Sequence, residues 1–318
     1  MSQEAVAPPG DSLFHRHSRA SIRLAFAVVY VFWGVSYTVN RIMVLSLPPL
    51  LAAGARFALA GAVLAVIAAT RRARWPQRPR DWLAVAVAAA LGIALANGLS
   101  VLALQHVASN QVALINASCA LWIAWIGRYG RRASPVGGRT WTGLVLGFAG
   151  VALLLSAHGF GADAGIGWQL LVLVATLCWA LATAVMREWH PDCDTVVFTA
   201  CYLLFGGTLL ASGGTALGEP SRWTWSATGL AAIAFLAIFS STCGFIAYTY
   251  LLRHETPSRV GTYAYVNPLV AVFTGWLILG ERLDARQIAG SIVILAGVIL
   301  VQGVPLLPRR ARPRRAAA

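Results

Sequence analysis

Apolar residues run through this chain in long blocks rather than along one face of each helical turn. Ten blocks predict helices at roughly 22–43, 49–69, 82–104, 107–127, 140–157, 167–186, 195–217, 227–251, 259–279 and 287–304. Each is of the length that crosses a hydrocarbon core about 30 Å thick. Two of them, from Trp82 to Leu104 and from Thr195 to Leu217, contain no Asp, Glu, Lys or Arg. Inside lipid a backbone N–H or C=O has no water to pair with, so such runs form helices rather than open strands. The period-two alternation of a membrane barrel is absent. Arg16, Arg19 and Arg23 precede the first block as in a signal peptide. The apolar run then continues through Trp33 and Tyr37 with no small-residue cleavage site, so a retained first helix is expected. The expected fold is an all-α integral membrane protein, with connections too short for a separate soluble domain.

Composition agrees. The 318 residues are 58% hydrophobic and 11% charged, whereas soluble domains run near 45–50% and about 25%. The net charge is +14, and all 25 basic residues are Arg. They sit in clusters between the apolar blocks, which excludes the coated surface of a nucleic-acid binder. With the N-terminus inside, 20 Arg fall on the cytoplasmic side. Arg41, Arg222, Arg282 and Arg286 fall outside, and Arg56 falls within a helix. That bias places both termini in the cytoplasm. The five cysteines have no metal-ligand spacing and read as buried thiols. Most Trp residues lie near helix ends, as interfacial anchors.

The two halves repeat each other. Phe32-Trp33-Gly34 and Arg41 align with Cys178-Trp179-Ala180 and Arg187 at an offset of 146, and Gly61 aligns with Gly207. Arg139, Gly143, Gly150 and Val151 match Arg286, Gly290, Gly297 and Val298 at 147, and Asn116 pairs with Asn267. Five helices is an odd number, so the second repeat enters the membrane from the opposite side. Ten transmembrane helices as two inverted five-helix repeats are therefore expected, an architecture that supports alternating access. The expected organisation is a cytoplasmic tail at 1–21, repeats at 22–157 and 167–304, an external loop at 158–166 and a basic cytoplasmic tail at 305–318.

At this point the chain resembles a drug/metabolite transporter (DMT superfamily) of the ten-helix EamA type, over roughly residues 24–303. The resemblance is carried by Phe-Trp-Gly (32–34), Leu-Pro-Pro-Leu (47–50), Ala-Arg-Phe (55–57) and Ala-Leu-Gln-His (103–106) in the first half. Cys-Trp-Ala (178–180), Asn-Pro (267–268), Leu-Gly-Glu-Arg-Leu (279–283) and Gly290 with Ala-Gly-Val (296–298) carry it in the second. It implies a central cavity lined by helices 1–4 and 6–9, with helices 5 and 10 peripheral. The first repeat departs from the pattern: Ala117 stands opposite Pro268, and Arg128-Tyr129-Gly130 takes the place of Gly280-Glu281.

The chemistry inside the membrane is sparse. None of the eleven acidic residues falls at the centre of a predicted helix. A metal centre, a phosphate loop and a buried carboxylate relay are therefore not expected, and no cofactor is implied. Arg56 needs a partner or a ligand, because an unpaired intramembrane charge is costly. It serves either to attract a substrate carboxylate or phosphate or as a structural Arg. Trp33 and Tyr37, Asn97 and Ser100, and Tyr263 and Asn267 are spaced to share helix faces. With Arg56, Asn116, Trp179 and Tyr248 they form the expected substrate-binding set. Gly143-x-x-x-Gly147 fits either packing within the chain or a homodimer contact.

The reading is a secondary transporter, an exporter of a small metabolite such as an amino acid, a nucleobase or an amphipathic drug, and not an enzyme. Its partners are a small-molecule substrate and the lipid bilayer. The resemblance and the Lys-free, Arg- and Ala-rich composition imply a bacterial inner membrane. Two other classes are open: an integral-membrane enzyme acting on a lipid or isoprenoid, and a non-transporting membrane scaffold.

Overall fold

A computed structural model describes residues 19–129, 137–156, 165–189, 191–255 and 260–302, apart from the side chains of Leu252, Arg253 and Tyr265. Outside the described residues lie most of both tails, nearly all of the expected external loop, the middle of the 128–139 Arg cluster, and Arg259. Ten helices carry the described fold: α1 (Arg19–Ser46), α2 (Pro49–Thr70), α3 (Pro79–Ala103), α4 (109–126), α5 (Gly138–Ser156), α6 (Ile166–Trp189), α7 (Thr195–Ala216), α8 (227–254), α9 (Tyr263–Leu279) and α10 (Ala285–Gln302). No strand occurs among the described residues. Seven of the helices are long and apolar enough to span a bilayer; α9 and α10 are shorter. α4 breaks for two residues at Ala117 and Ser118.

Repeat-equivalent helices pack directly on one another, α2 on α7 and α5 on α10. Glycine sets both crossings. A Cβ on Gly54 would sit 2.9 Å from the Gly207 carbonyl oxygen, and one on Gly207 would sit 3.0 Å from that of Gly54. At the other crossing, Cβ atoms on Gly150 and Gly290 would each meet the partner's carbonyl at 3.0 Å, and one on Gly143 would lie 2.8 Å from the Gly297 carbonyl. Lipid supplies no hydrophobic drive between helices, so close backbone approach through small residues replaces it. The Gly143/Gly147 face is thus used inside the chain, against α10 and Leu121.

Two acids close helix ends at the end of the bundle where α1 and α2 join. Pro49 opens α2 without an N–H to satisfy. The next two donors, Leu50 N and Leu51 N, go to the buried Glu219 carboxylate at 3.2 and 2.7 Å. At α4, Glu281 accepts from Ser109 N (2.7 Å), Ser109 Oγ (2.9 Å) and Asn110 N (3.0 Å). Gly280, with φ at 65°, makes the left-handed turn that swings Glu281 off α9. A carboxylate at a helix N-terminus answers both the orphan donors and the positive end of the dipole. Arg41 complements it by donating to the Leu104 and Val107 carbonyls where α3 ends.

The repeat symmetry is broken at these caps. Gly218 and its equivalent Arg72 both have positive φ, 73° and 51°. Gly218 is followed by Glu219 and Arg72 by Ala73, so only the second repeat delivers a carboxylate.

Three outcomes are expected from thermal unfolding of the detergent-purified protein. Gly297→Leu should destabilise it by roughly 1–3 kcal/mol, because the Gly143 and Gly147 backbones cannot give way. Gly138→Ala, which meets nothing within 4 Å, should leave the midpoint unchanged. Glu281→Ala should cost roughly 1–3 kcal/mol by orphaning the α4 donors.

Candidate functional site

The bundle encloses a cavity of about 110 Å³. Its walls come from α1, α2, α3, α4, α6, α8 and α9. Nine of the ten residues expected at the site line it: Trp33, Tyr37, Arg56, Asn97, Ser100, Asn116, Trp179, Tyr263 and Asn267. The tenth, Tyr248, is buried behind the wall, its ring 4.9 Å from Trp33 and 5.8 Å from Tyr263. α7 contributes no wall residue: its small face is spent on α2, and Tyr202 packs behind Phe245 at 5.9 Å.

Local geometry explains why these side chains converge. α3 and α8 each contain a π-helical stretch, Ala90–Asn97 and Leu236–Cys243. The two stretches are repeat-equivalent at an offset of 146. A π segment shifts the helix register by one residue and leaves carbonyls open to side chains, and such segments concentrate at functional sites. Here Asn97 Nδ2 donates to the Gly92 carbonyl at 2.8 Å, while Trp33 Nε1 donates to the Ser240 carbonyl at 3.0 Å. Gly244, which follows the α8 stretch, leaves room for the Trp33 indole. Asn116 Nδ2 bonds back to the Val112 carbonyl at 3.0 Å within α4.

Arg56 is 3% exposed. Its Nε donates to Ser241 Oγ at 2.9 Å, its Nη1 donates to Asn40 Oδ1 at 2.8 Å, and its guanidinium lies 4.3 Å from the Phe57 ring centroid. Asn40 is itself fixed, its Nδ2 donating to the Ser36 carbonyl at 2.7 Å. Both partners of Arg56 are neutral. Among the described residues no carboxylate pairs with it, and Arg56 is the one charged residue lining the cavity.

The aromatic residues group at one end. Trp33 makes edge contacts with Trp179 (6.1 Å), Phe245 (5.3 Å) and Tyr263 (5.5 Å). Trp33 precedes Tyr37 and Asn40 along α1, Tyr263 precedes Asn267 along α9, and Phe245 follows Ser240 along the antiparallel α8. All three directions place the cluster on the side of the cavity toward the α1 N-terminus. Tyr30 and Thr262 hydrogen-bond beyond it on that side. Arg56 and the amides lie on the side toward the carboxylate-capped ends.

Comparison with known proteins agrees with this architecture. The model of the EamA-like transporter family matches residues 21–156 and again residues 166–302. The chain belongs to the EamA-like transporter family. Among its relatives, the uncharacterized inner membrane transporter YedA of Escherichia coli K12 is 31% identical over 290 residues, spanning 90% of this chain and 92% of the relative. The uncharacterized transporter YvbV of Bacillus subtilis 168 is 29% identical, over 89% and 92%. A solved crystal structure shares the fold with a TM-score of 0.65 at 19% identity, covering 89% of this chain and 96% of that one. The chain is thus a multi-pass membrane transporter, whose two EamA-like copies are the two repeats.

Within this EamA-like site the sequence reading missed Ser36, Asn40, Ser240 and Ser241. Asn40 carried a usable signal: it lies three residues from Tyr37, on the helix face that Tyr37 shares with Trp33. The serines of α8 carried none, because a π stretch displaces them from the 3.6-residue pattern.

Asn40 and Arg56 should behave as a unit. Asn40→Ala is expected to destabilise the protein by roughly 1–3 kcal/mol by orphaning a charged donor. In a double-mutant cycle with Arg56→Gln the two losses should be non-additive by at least about 1 kcal/mol in thermal unfolding.

Proposed function

We propose that this transporter exports a small polar metabolite across a bacterial inner membrane by alternating access, with both termini in the cytoplasm and without catalysis, metal or cofactor. The carrying observation is the cavity itself: helices of both repeats wall it, and it gathers one cation, several amides and hydroxyls, and an aromatic end. Helices related by inverted symmetry can close such a site toward either face in turn. The Arg distribution supports the orientation, and the description of YedA as an inner membrane transporter supports the location.

Size narrows the cargo. The cavity measures about 110 Å³. Pockets that hold drug-sized ligands run to roughly 300–1,000 Å³. Amino acids and nucleobases therefore fit this reading better than amphipathic drugs.

Cells overexpressing the protein should resist toxic amino-acid or nucleobase analogues and show faster efflux of the matching radiolabelled compound. Proteoliposomes should show counterflow of the same compound. Trp33→Ala, in the cavity wall, should lower that flux at least about tenfold while the protein still reaches the membrane. Absence of counterflow for every such compound would refute the transport reading.

A further inference from the structure

On the side of the carboxylate caps, the cavity wall runs into the corner between α3 and α4. Leu104 before the corner and Val112 after it both line the cavity. A displacement of residues 104–110 would therefore open the cavity toward this end of the bundle. The corner is tied to three other parts of the fold. Arg41 of α1 donates to the Leu104 and Val107 carbonyls. The His106 ring stacks on Trp168 of α6, with centroids 4.0 Å apart. Glu281, from the turn after α9, accepts from Ser109 N, Ser109 Oγ and Asn110 N. Among the described residues Arg41 and Glu281 form no ion pair with each other, so each spends its charge on the corner. Gly275 leaves space for the carboxylate: a Cβ there would lie 2.5 Å from Glu281 Oε2 and 3.1 Å from Ser109 Oγ.

A second observation opposes this hold. Asn110 is 1% exposed, and neither its Oδ1 nor its Nδ2 has a hydrogen-bond partner among the described residues. An unanswered buried amide is costly, and water would answer it once the corner moved outward. Charge-assisted bonds with nothing against them would fix a single conformation. A two-state element needs its two arrangements close in free energy. The acid is also particular to one end. The first repeat carries Arg128-Tyr129-Gly130 where the second carries Gly280-Glu281.

We infer that the α3–α4 corner is a gate, latched shut by Glu281 and Arg41 and biased toward opening by the unanswered amide of Asn110. The inference rests on the alternating-access reading, and the corner is the outer gate under the orientation proposed with it. Glu281 lies outside the cavity wall and acts through the start of α4, as a positioning residue.

The test uses the full chain and a thiol already in the cavity. Cys119 lines the cavity and is 5% exposed. With Cys178, Cys193, Cys201 and Cys243 replaced by alanine, it reports access to a sulfonated methanethiosulfonate, which does not cross the bilayer. Its modification rate is measured from outside in spheroplasts and from the cytoplasmic side in inside-out vesicles. Glu281→Gln should raise the outside rate about tenfold, as loss of a charge-assisted contact dictates, and lower the cytoplasmic rate. Asn110→Leu, of similar size but apolar, should do the reverse by about fivefold. The double variant should fall between the two. Where Glu281→Gln does not reach the membrane, Arg41→Gln is read in the same way.

The reciprocal change separates a gate from a merely structural cap, since general loosening raises labelling from both sides. Rates that rise on both sides in Glu281→Gln overturn the inference. So does an unchanged outside rate in that variant, or a raised one in Asn110→Leu. Reciprocal changes with the two sides exchanged uphold the gate and overturn the proposed orientation. Reciprocal labelling without counterflow of any compound upholds the gate and removes the transport reading.

Discussion

Hydrocarbon offers no hydrogen bond to a backbone that has lost its own, and nearly every feature of this fold answers that constraint. It makes the apolar blocks helical. It makes helix ends within the bundle costly, which is why Glu219 and Glu281 meet the first donors of α2 and α4 and Arg41 meets the last carbonyls of α3. It also decides where irregular backbone is tolerated. The π stretches of α3 and α8 face the polar cavity and neighbouring side chains, where Trp33 and Asn97 take up open carbonyls. The same stretches on the lipid side would leave those carbonyls unpaired.

Duplication explains the architecture, and departures from it explain the site. The glycine crossings join equivalent helices, α2 to α7 and α5 to α10, and the π stretches of α3 and α8 fall at equivalent positions. The polar groups do not. Arg56 corresponds to Tyr202, Asn97 to Cys243 and Asn40 to Met186 at the common offset. The cavity's polar wall is therefore furnished mainly by the first repeat, while the second contributes Ser240 and Asn267, and Ser241 as a partner of Arg56. The carboxylate caps divide the other way: both acids come from the second repeat and hold helices of the first. A symmetric scaffold thus carries polar groups that its two copies do not share.

Much of this was legible in the chain, for reasons that differ from feature to feature. The helices follow from block length and the absence of charge, and the repeats from residue matches at a constant spacing. Arg56 stood out because one charge in a long apolar run is conspicuous. The convergence of Trp33, Tyr37, Asn97, Ser100, Asn116, Tyr263 and Asn267 follows from i, i+3 and i, i+4 spacing combined with repeat equivalence. Tyr248 sits behind the wall because the π stretch earlier in α8 rotates everything after it relative to a regular helix. Ser240 and Ser241 were hidden by the same shift. Asn40 has the right spacing from Tyr37, but beside Arg41 it reads as part of a polar helix end, and its bond to Arg56 joins residues sixteen apart on two different helices. The carboxylate caps could not be read at all, since Glu219 and Glu281 act on residues 168 and 172 positions away.

The choice of neutral partners for Arg56 has an energetic consequence for transport. Had an acid held the guanidinium, any anionic ligand would have to compete with a buried ion pair, and breaking one costs about 3–5 kcal/mol. Asn40 and Ser241 fix the orientation of the guanidinium through two hydrogen bonds but neutralise none of its charge. The ligand then meets an oriented cation without first displacing a counter-ion. An empty site of this kind is electrostatically strained, and occupation relieves the strain. Because a rearranging carrier must pass through states in which water is excluded from the cavity, desolvating an unanswered Arg56 is the costly step. An anionic group placed on it would lower that cost. A carrier built this way would exchange conformations more easily with an anionic group on Arg56 than with the site empty.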